Sequence, residues 1–307
     1  MSSSNVQEWL ASNNRYHGRY VNNQNRLQNL KKIDRRAYTI SVSSGKGGVG
    51  KTSVSIKFSK ILASQGYKVL LIDCDYNLSN TAIKLGIPVN DNFSLFVNNK
   101  IAFDECLHRD NNFHLLSACN GDFELFDNCI KMDQFVVNLL LEHEREYDFI
   151  ILDCPAGISK ETLTINAYCD FRFVVVNPDK SSITDSYSLI KILNNKYGVT
   201  DTHLLVNKVS SSEQYKRIIR IMSETVENFL SSRLHILGGI KRENTSVDLL
   251  DNILFSENTS LHNNFIKIVR TFTERFIATS THVLSNVNDT SFSFTDDFEQ
   301  DVQNTIS

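Results

Sequence analysis

The residues Gly45-Lys46-Gly47-Gly48-Val49-Gly50-Lys51-Thr52 combine four glycines with two lysines and a hydroxyl. Glycines let successive backbone N–H groups turn inward on an anion, while a lysine supplies a countercharge. A threonine hydroxyl is the kind of oxygen ligand that magnesium accepts. The pattern G-x-x-x-x-G-K-[ST] is a phosphate cradle when it leaves a strand and opens a helix. Here an apolar, β-rich run over Tyr38 to Ser43 precedes it, and helical periodicity over Thr52 to Gln65 follows. Lys51 is placed to reach the β and γ phosphates, Thr52 to hold Mg²⁺, and Ser53 to extend the cradle along the helix amino end, whose partial positive charge favours an anion.

Three aspartates carry the complementary charge. Asp73 closes the apolar run Val69-Leu70-Leu71-Ile72, Asp75 lies two residues on, and Asp153 closes Phe149-Ile150-Ile151-Leu152. Opposite a triphosphate such acids repel the substrate unless they bind magnesium or orient an attacking water. Any one strand-terminal aspartate can equally be a helix cap or turn former; three beside a phosphate loop favour the metal. Cys154-Pro155-Ala156-Gly157 follows the last of them as a turn, and Asn207 ends a further strand, either as a turn residue or as an amide able to donate to and accept from a base.

Short β-rich runs alternating with helical periodicities must position these groups. Strands are expected at 38–43, 68–73, 113–117, 148–153, 171–177, 203–207 and 234–238, and helices at 52–65, 132–145, 160–167, 182–196, 213–230 and 261–279. That alternation predicts an α/β fold, a mostly parallel twisted sheet with helices on both faces, whose ligands sit at the carboxyl ends of the strands. The organisation expected is a basic N-terminal extension over 1–37, one domain over 38–280 and an acidic tail over 281–307. The extension holds seven Lys or Arg against Glu8 and Asp34, a balance of +5, and the tail holds five acids and no Lys or Arg.

Of 307 residues 41% are apolar and 22% charged, an ordinary globular balance, and the formal charge of -3 gives no general pull toward nucleic acid. The six cysteines form no C-x-x-C pair, so reduced, mostly buried thiols are expected rather than a disulfide framework or zinc site. The polar amino terminus and the lack of a long apolar run point to a cytoplasmic protein. Phe265-Ile266-Lys267-Ile268-Val269-Arg270, continuing through Phe276, has an amphipathic spacing that could meet lipid or the core; packing is favoured, and membrane contact is carried as the weaker reading.

A second lysine in a tight glycine loop needs a reason. Lys46-Gly47-Gly48-Val49-Gly50-Lys51-Thr52 resembles the deviant Walker A loop of the MinD/ParA P-loop ATPases, whose early lysine reaches across a dimer to the partner's nucleotide. The resemblance covers about Ala37 to Ala278, and Asn177-Pro178-Asp179 with Ile183-Thr184-Asp185-Ser186-Tyr187 is similar to the MinD-type segment after the fifth strand. It implies ATP and Mg²⁺ as cofactors, a MinD-like fold, a homodimer formed with ATP, and catalysis by Lys46, Lys51, Asp75 and Asp153. Thr52, Asp73 and Asp153 would hold the metal, Asp75 would position the attacking water, the Gly157 turn would sense the γ phosphate, and Asn207 would read adenine. The family's D-x-D-x-G-L-x-N segment reads Asp73-Cys74-Asp75-Tyr76-Asn77-Leu78-Ser79-Asn80 here, with Asn77 in place of glycine.

Asn22 to Leu30 resembles the D-Q-A-x-x-L-R element of the FlhG (FleN, YlxH) group, although its final arginine is missing; the alternative is a plain polar arm. The resemblance implies a slow, partner-stimulated ATPase that regulates flagellar number and placement, with an FlhF-like GTPase and flagellar switch proteins as partners, peripheral to the membrane or cell pole. Two other readings stand beside it: a nucleotide-clamped adaptor without useful turnover, and a ParA-like ATPase that positions DNA or cargo.

Overall fold

The structure, a computed structural model, describes residues 36–75, 81–88, 90–117, 132–230, 232–245 and 247–277. The basic extension before residue 36, Tyr76 to Asn80 with Asn77, Cys119, Cys129 and the acidic tail lie outside the described residues.

Eight strands form one sheet in the order β3-β4-β2-β5-β1-β6-β7-β8. They are β1 (Tyr38–Ser43), β2 (Val69–Asp73), β3 (His108–Asp110), β4 (Phe113–Leu116), β5 (Phe149–Asp153), β6 (Phe171–Val176), β7 (Asp201–Val209) and β8 (Arg233–Lys241). Every neighbouring pair is parallel except β3 with β4. The helices are α1 (Lys51–Ser64), α2 (Thr81–Lys84), α3 (Asn92–Val97), α4 (Phe103–Cys106), α5 (Met132–His143), α6 (Lys160–Tyr168), α7 (Lys180–Tyr197), α8 (Ser212–Phe229), α9 (Val247–Phe255) and α10 (Ser260–Phe272), with a π turn at Thr273–Ile277 after α10.

The central strands have no polar face because helices cover both sides. In β2 every residue is buried, and alternate residues go opposite ways. Val69 and Leu71 join one core with α1 and α10, whereas Leu70 and Ile72 join another with α5. A third core lies under α7 and α8 around Val174, Val176 and Leu204.

Seven of the strands and the longer helices stand where the sequence places them. The expectation differs in three places. β3 is a three-residue exposed antiparallel edge strand. The short helices α2, α3 and α4, together with α9, fill connections to which the sequence reading assigned no element. The final helix changes from α-helix to a π turn after Phe272 and is followed to Ile277, the last described residue. Its apolar face is spent inside the molecule: Phe265, Ile268, Val269 and Phe272 are buried, and the Phe272 ring meets Phe58 of α1 edge-on at 5.6 Å. Among the described residues no helix is long and apolar enough to cross a membrane.

Candidate functional site

β1 lies in the middle of the sheet between β5 and β6, so the loop leaving its carboxyl end opens at the centre of the crevice. That loop runs from Ser44 to Gly50 and delivers the chain into α1. Gly48 (φ 73°) and Gly50 (φ 99°) take left-handed conformations open to glycine, which turn the loop back toward the helix axis. Gly45 is small for a different reason. A Cβ there would sit 2.1 Å from the carbonyl carbon of Asp185, so α7 packs directly on the loop's first glycine. The turn after β5 is tied to the same loop, because the Gly157 N–H donates to the Ser44 carbonyl at 2.9 Å.

Lys51 begins α1, and its ammonium donates to Ser44 Oγ at 3.1 Å. Burial lowers its pKa, while Asp153 and Asp75 nearby pull in the opposite direction. Lys46 turns away from the cradle: its Nζ donates to Asp179 Oδ1 at 3.1 Å and to Ser181 Oγ at 2.7 Å at the start of α7. Both members of that ion pair are more than two-fifths exposed, so water weakens it and little holds the lysine there.

Asp73 and Asp153 are register partners at the ends of β2 and β5. They are 1% and 3% exposed, two carboxylates side by side in the interior. Burial, and then Asp73, push the Asp153 carboxyl well above the usual carboxylate range, against the pull of Thr52, Lys51 and Ser55. Ser55 Oγ donates to Asp153 Oδ1 at 3.1 Å, and the Asp75 N–H donates to Asp73 Oδ1 at 3.0 Å. A pair of buried carboxylates with a neighbouring threonine hydroxyl is an all-oxygen set that fits a hard divalent cation, and such a cation would relieve their mutual repulsion.

Asn207 sits beneath the cradle. Its Nδ2 donates to the Val49 carbonyl at 2.7 Å, and its Oδ1 accepts from the Lys208 N–H at 2.9 Å. Lys208, at φ 58°, donates its Nζ to the Gly48 carbonyl at 2.9 Å. The structure thus gathers Gly45 to Ser53, Asp73, Asp75, Asp153, Gly157 and Asn207 around one loop. It adds four residues the sequence reading gave no role: Ser44, Ser55, Ser181 and Lys208. Ser55 follows Lys51 by one helical turn, a spacing that carries its hydroxyl to the same face; nothing comparable marks the others.

Residues 37–197 match the family described as AAA domain. The antiactivator FleN of Pseudomonas aeruginosa is 27% identical over 202 residues, covering 66% of this chain and 72% of that protein. The flagellum site-determining protein YlxH of Helicobacter pylori is 30% identical over 247 residues, covering 74% and 80% respectively. The cell division ATPase MinD of Pyrococcus furiosus superposes with a TM-score of 0.65 at 20% identity over 78% of this chain and 99% of that one, a likeness of fold. With the phosphate loop, its second lysine and this sheet, the chain belongs to the MinD/ParA family of P-loop ATPases and within it resembles the FlhG/FleN/YlxH regulators.

Proposed function

We propose that this chain is a magnesium-dependent ATPase that works as a dimerisation switch and sets flagellar number or placement. One observation carries the reading: Asp73 and Asp153 stand together at the ends of β2 and β5, buried, on the side of the P-loop from which Lys51, Thr52 and Ser55 approach. Loop amides and Lys51 hold the phosphates, Thr52, Asp73 and Asp153 hold the metal directly or through water, and Asp75 aligns the attacking water. The metal, when bound, neutralises the developing charge on the transferred phosphoryl group. Lys46 leaves Asp179 and Ser181 and reaches the partner's nucleotide, so that two ATP-bound copies close on each other. Residues 38–280 form the ATPase body, with 1–37 and 281–307 as extensions for partners such as an FlhF-like GTPase.

Light scattering with Mg-ATP tests the switch. The mass should double, and the dimer should persist longer in Asp75→Ala; a mass indifferent to nucleotide would reject it. Lys51→Ala should lose nucleotide, whereas Lys46→Ala should bind it and stay monomeric, and equal loss of binding in both would refute the trans role. For the flagellar branch, an unchanged count of flagella per cell after deletion of the gene would end that assignment.

A further inference from the structure

β7 does not end as a regular strand. Its register with β8 shifts between Val206 and Val209, and Lys208 within that irregularity has φ 58°, a left-handed conformation that a residue with a Cβ adopts reluctantly. The distortion aims two consecutive side chains at two consecutive carbonyls of the phosphate loop, Lys208 Nζ at Gly48 O (2.9 Å) and Asn207 Nδ2 at Val49 O (2.7 Å). Contact is close enough that a Cβ on Gly50 would lie 2.5 Å from Asn207 Nδ2.

Each carbonyl belongs to a peptide unit whose other end is a loop N–H: Gly48 O shares its peptide with the Val49 N–H, and Val49 O with the Gly50 N–H. A hydrogen bond to a carbonyl polarises the whole amide and strengthens its N–H as a donor, and more so when the donor to the carbonyl is charged. We propose that Asn207 and Lys208 are positioning residues of the phosphate cradle, which polarise these two peptide units from behind and fix their orientation. This rests on the P-loop reading, and it is a role distinct from, and compatible with, a base contact by Asn207. Nδ2 gives one N–H to Val49 O and Oδ1 accepts the Lys208 N–H, which fixes the amide against the loop and leaves its second N–H and second lone pair for a further partner.

The two roles separate by which part of the ligand feels a substitution. Affinities are measured by competition against a fluorescent ADP, using ATP and purine riboside triphosphate, which lacks the exocyclic amino group. Lys208→Met and Asn207→Ala should each weaken both triphosphates by the same factor, about ten-fold, as expected for loss of one bond that supports a charged ligand. Lys208→Arg should restore most of the loss. Lys208→Gly relieves the left-handed strain while removing the ammonium, so it should melt no lower than the parent yet bind as weakly as Lys208→Met. A selective loss for ATP would make the pair base readers and overturn the proposal, as would unchanged affinity in Lys208→Met and Lys208→Gly. Lys51→Ala serves as the separate control, since retained binding there would remove the P-loop reading itself.

Discussion

At the scale of single residues the site is built on a conflict. Asp73 and Asp153 are side by side with almost no access to water, an arrangement that costs stability unless a proton or a cation offsets the like charges. Asp73→Asn keeps an acceptor for the Asp75 N–H and deletes one of the two like charges. The ligand-free protein should therefore gain stability, on the order of 1 kcal/mol, while losing the extra stabilisation that magnesium adds to ATP. Urea midpoints with and without Mg-ATP check both halves. The glycines, Lys51 and the three aspartates were legible because their residue types at strand ends leave few alternatives. Ser44, Ser181 and Lys208 were not, because a loop serine, a serine in the first turn of α7 and a lysine near the end of β7 carry no spacing that marks them and acquire these partners only when the sheet is assembled.

Elements show the same division. Runs such as Leu70-Leu71-Ile72 and Phe173-Val174-Val175-Val176 read as buried strands because nothing polar interrupts them, whereas His108-Arg109-Asp110 pairs by position alone, with no apolar residue to announce it. The adjacency of Asp73 and Asp153 follows from the order β2-β5-β1, which no local pattern encodes. α9 does carry a helical spacing in Val247, Leu250 and Leu254, but at nine residues it is too short to stand out from a loop. Inside β7, His203 is buried between Phe171, Phe173 and Phe276 and stacked on His235 at 5.0 Å. Neither of its ring nitrogens has a hydrogen-bond partner of normal geometry among the described residues. Burial, then His235 and Arg172, lower its pKa to about 3, against the pull of Asp201. The folded pKa lies below the unfolded value of about 6.5, so the unfolded chain takes up the proton first. Stability that is complete above about pH 6.5 should fall as pH drops through the interval down to about 3, with a slope of up to roughly 1.4 kcal/mol per pH unit. His203→Leu should flatten that slope between pH 6.5 and 4.5 in chemical denaturation, at little or no cost at pH 7.

For the whole molecule, nucleotide and assembly should be separable in one measurement. Mg-ATP at a hundred-fold excess over its Kd should stabilise the monomer by about 2.7 kcal/mol, independently of protein concentration. Dimer formation adds a part that grows with protein concentration. Thermal melts of the parent chain should contain both parts, Lys46→Ala only the first, and Lys51→Ala neither. A concentration-dependent shift surviving in Lys46→Ala would place the dimer contacts elsewhere.

The two margins of the sheet bear on this reversible pairing. At one margin β3 is three residues long, exposed at every residue and made of His108, Arg109 and Asp110. At the other, β8 is interrupted at Gly238 (φ 147°) by a slip in register and is bounded by Arg233 and Lys241. Neither border offers a flat, uncharged template onto which another chain's strand could zip. Strand-to-strand association of copies is thereby disfavoured at both margins, so a dimer closing on the nucleotide face would meet little competition from edge pairing.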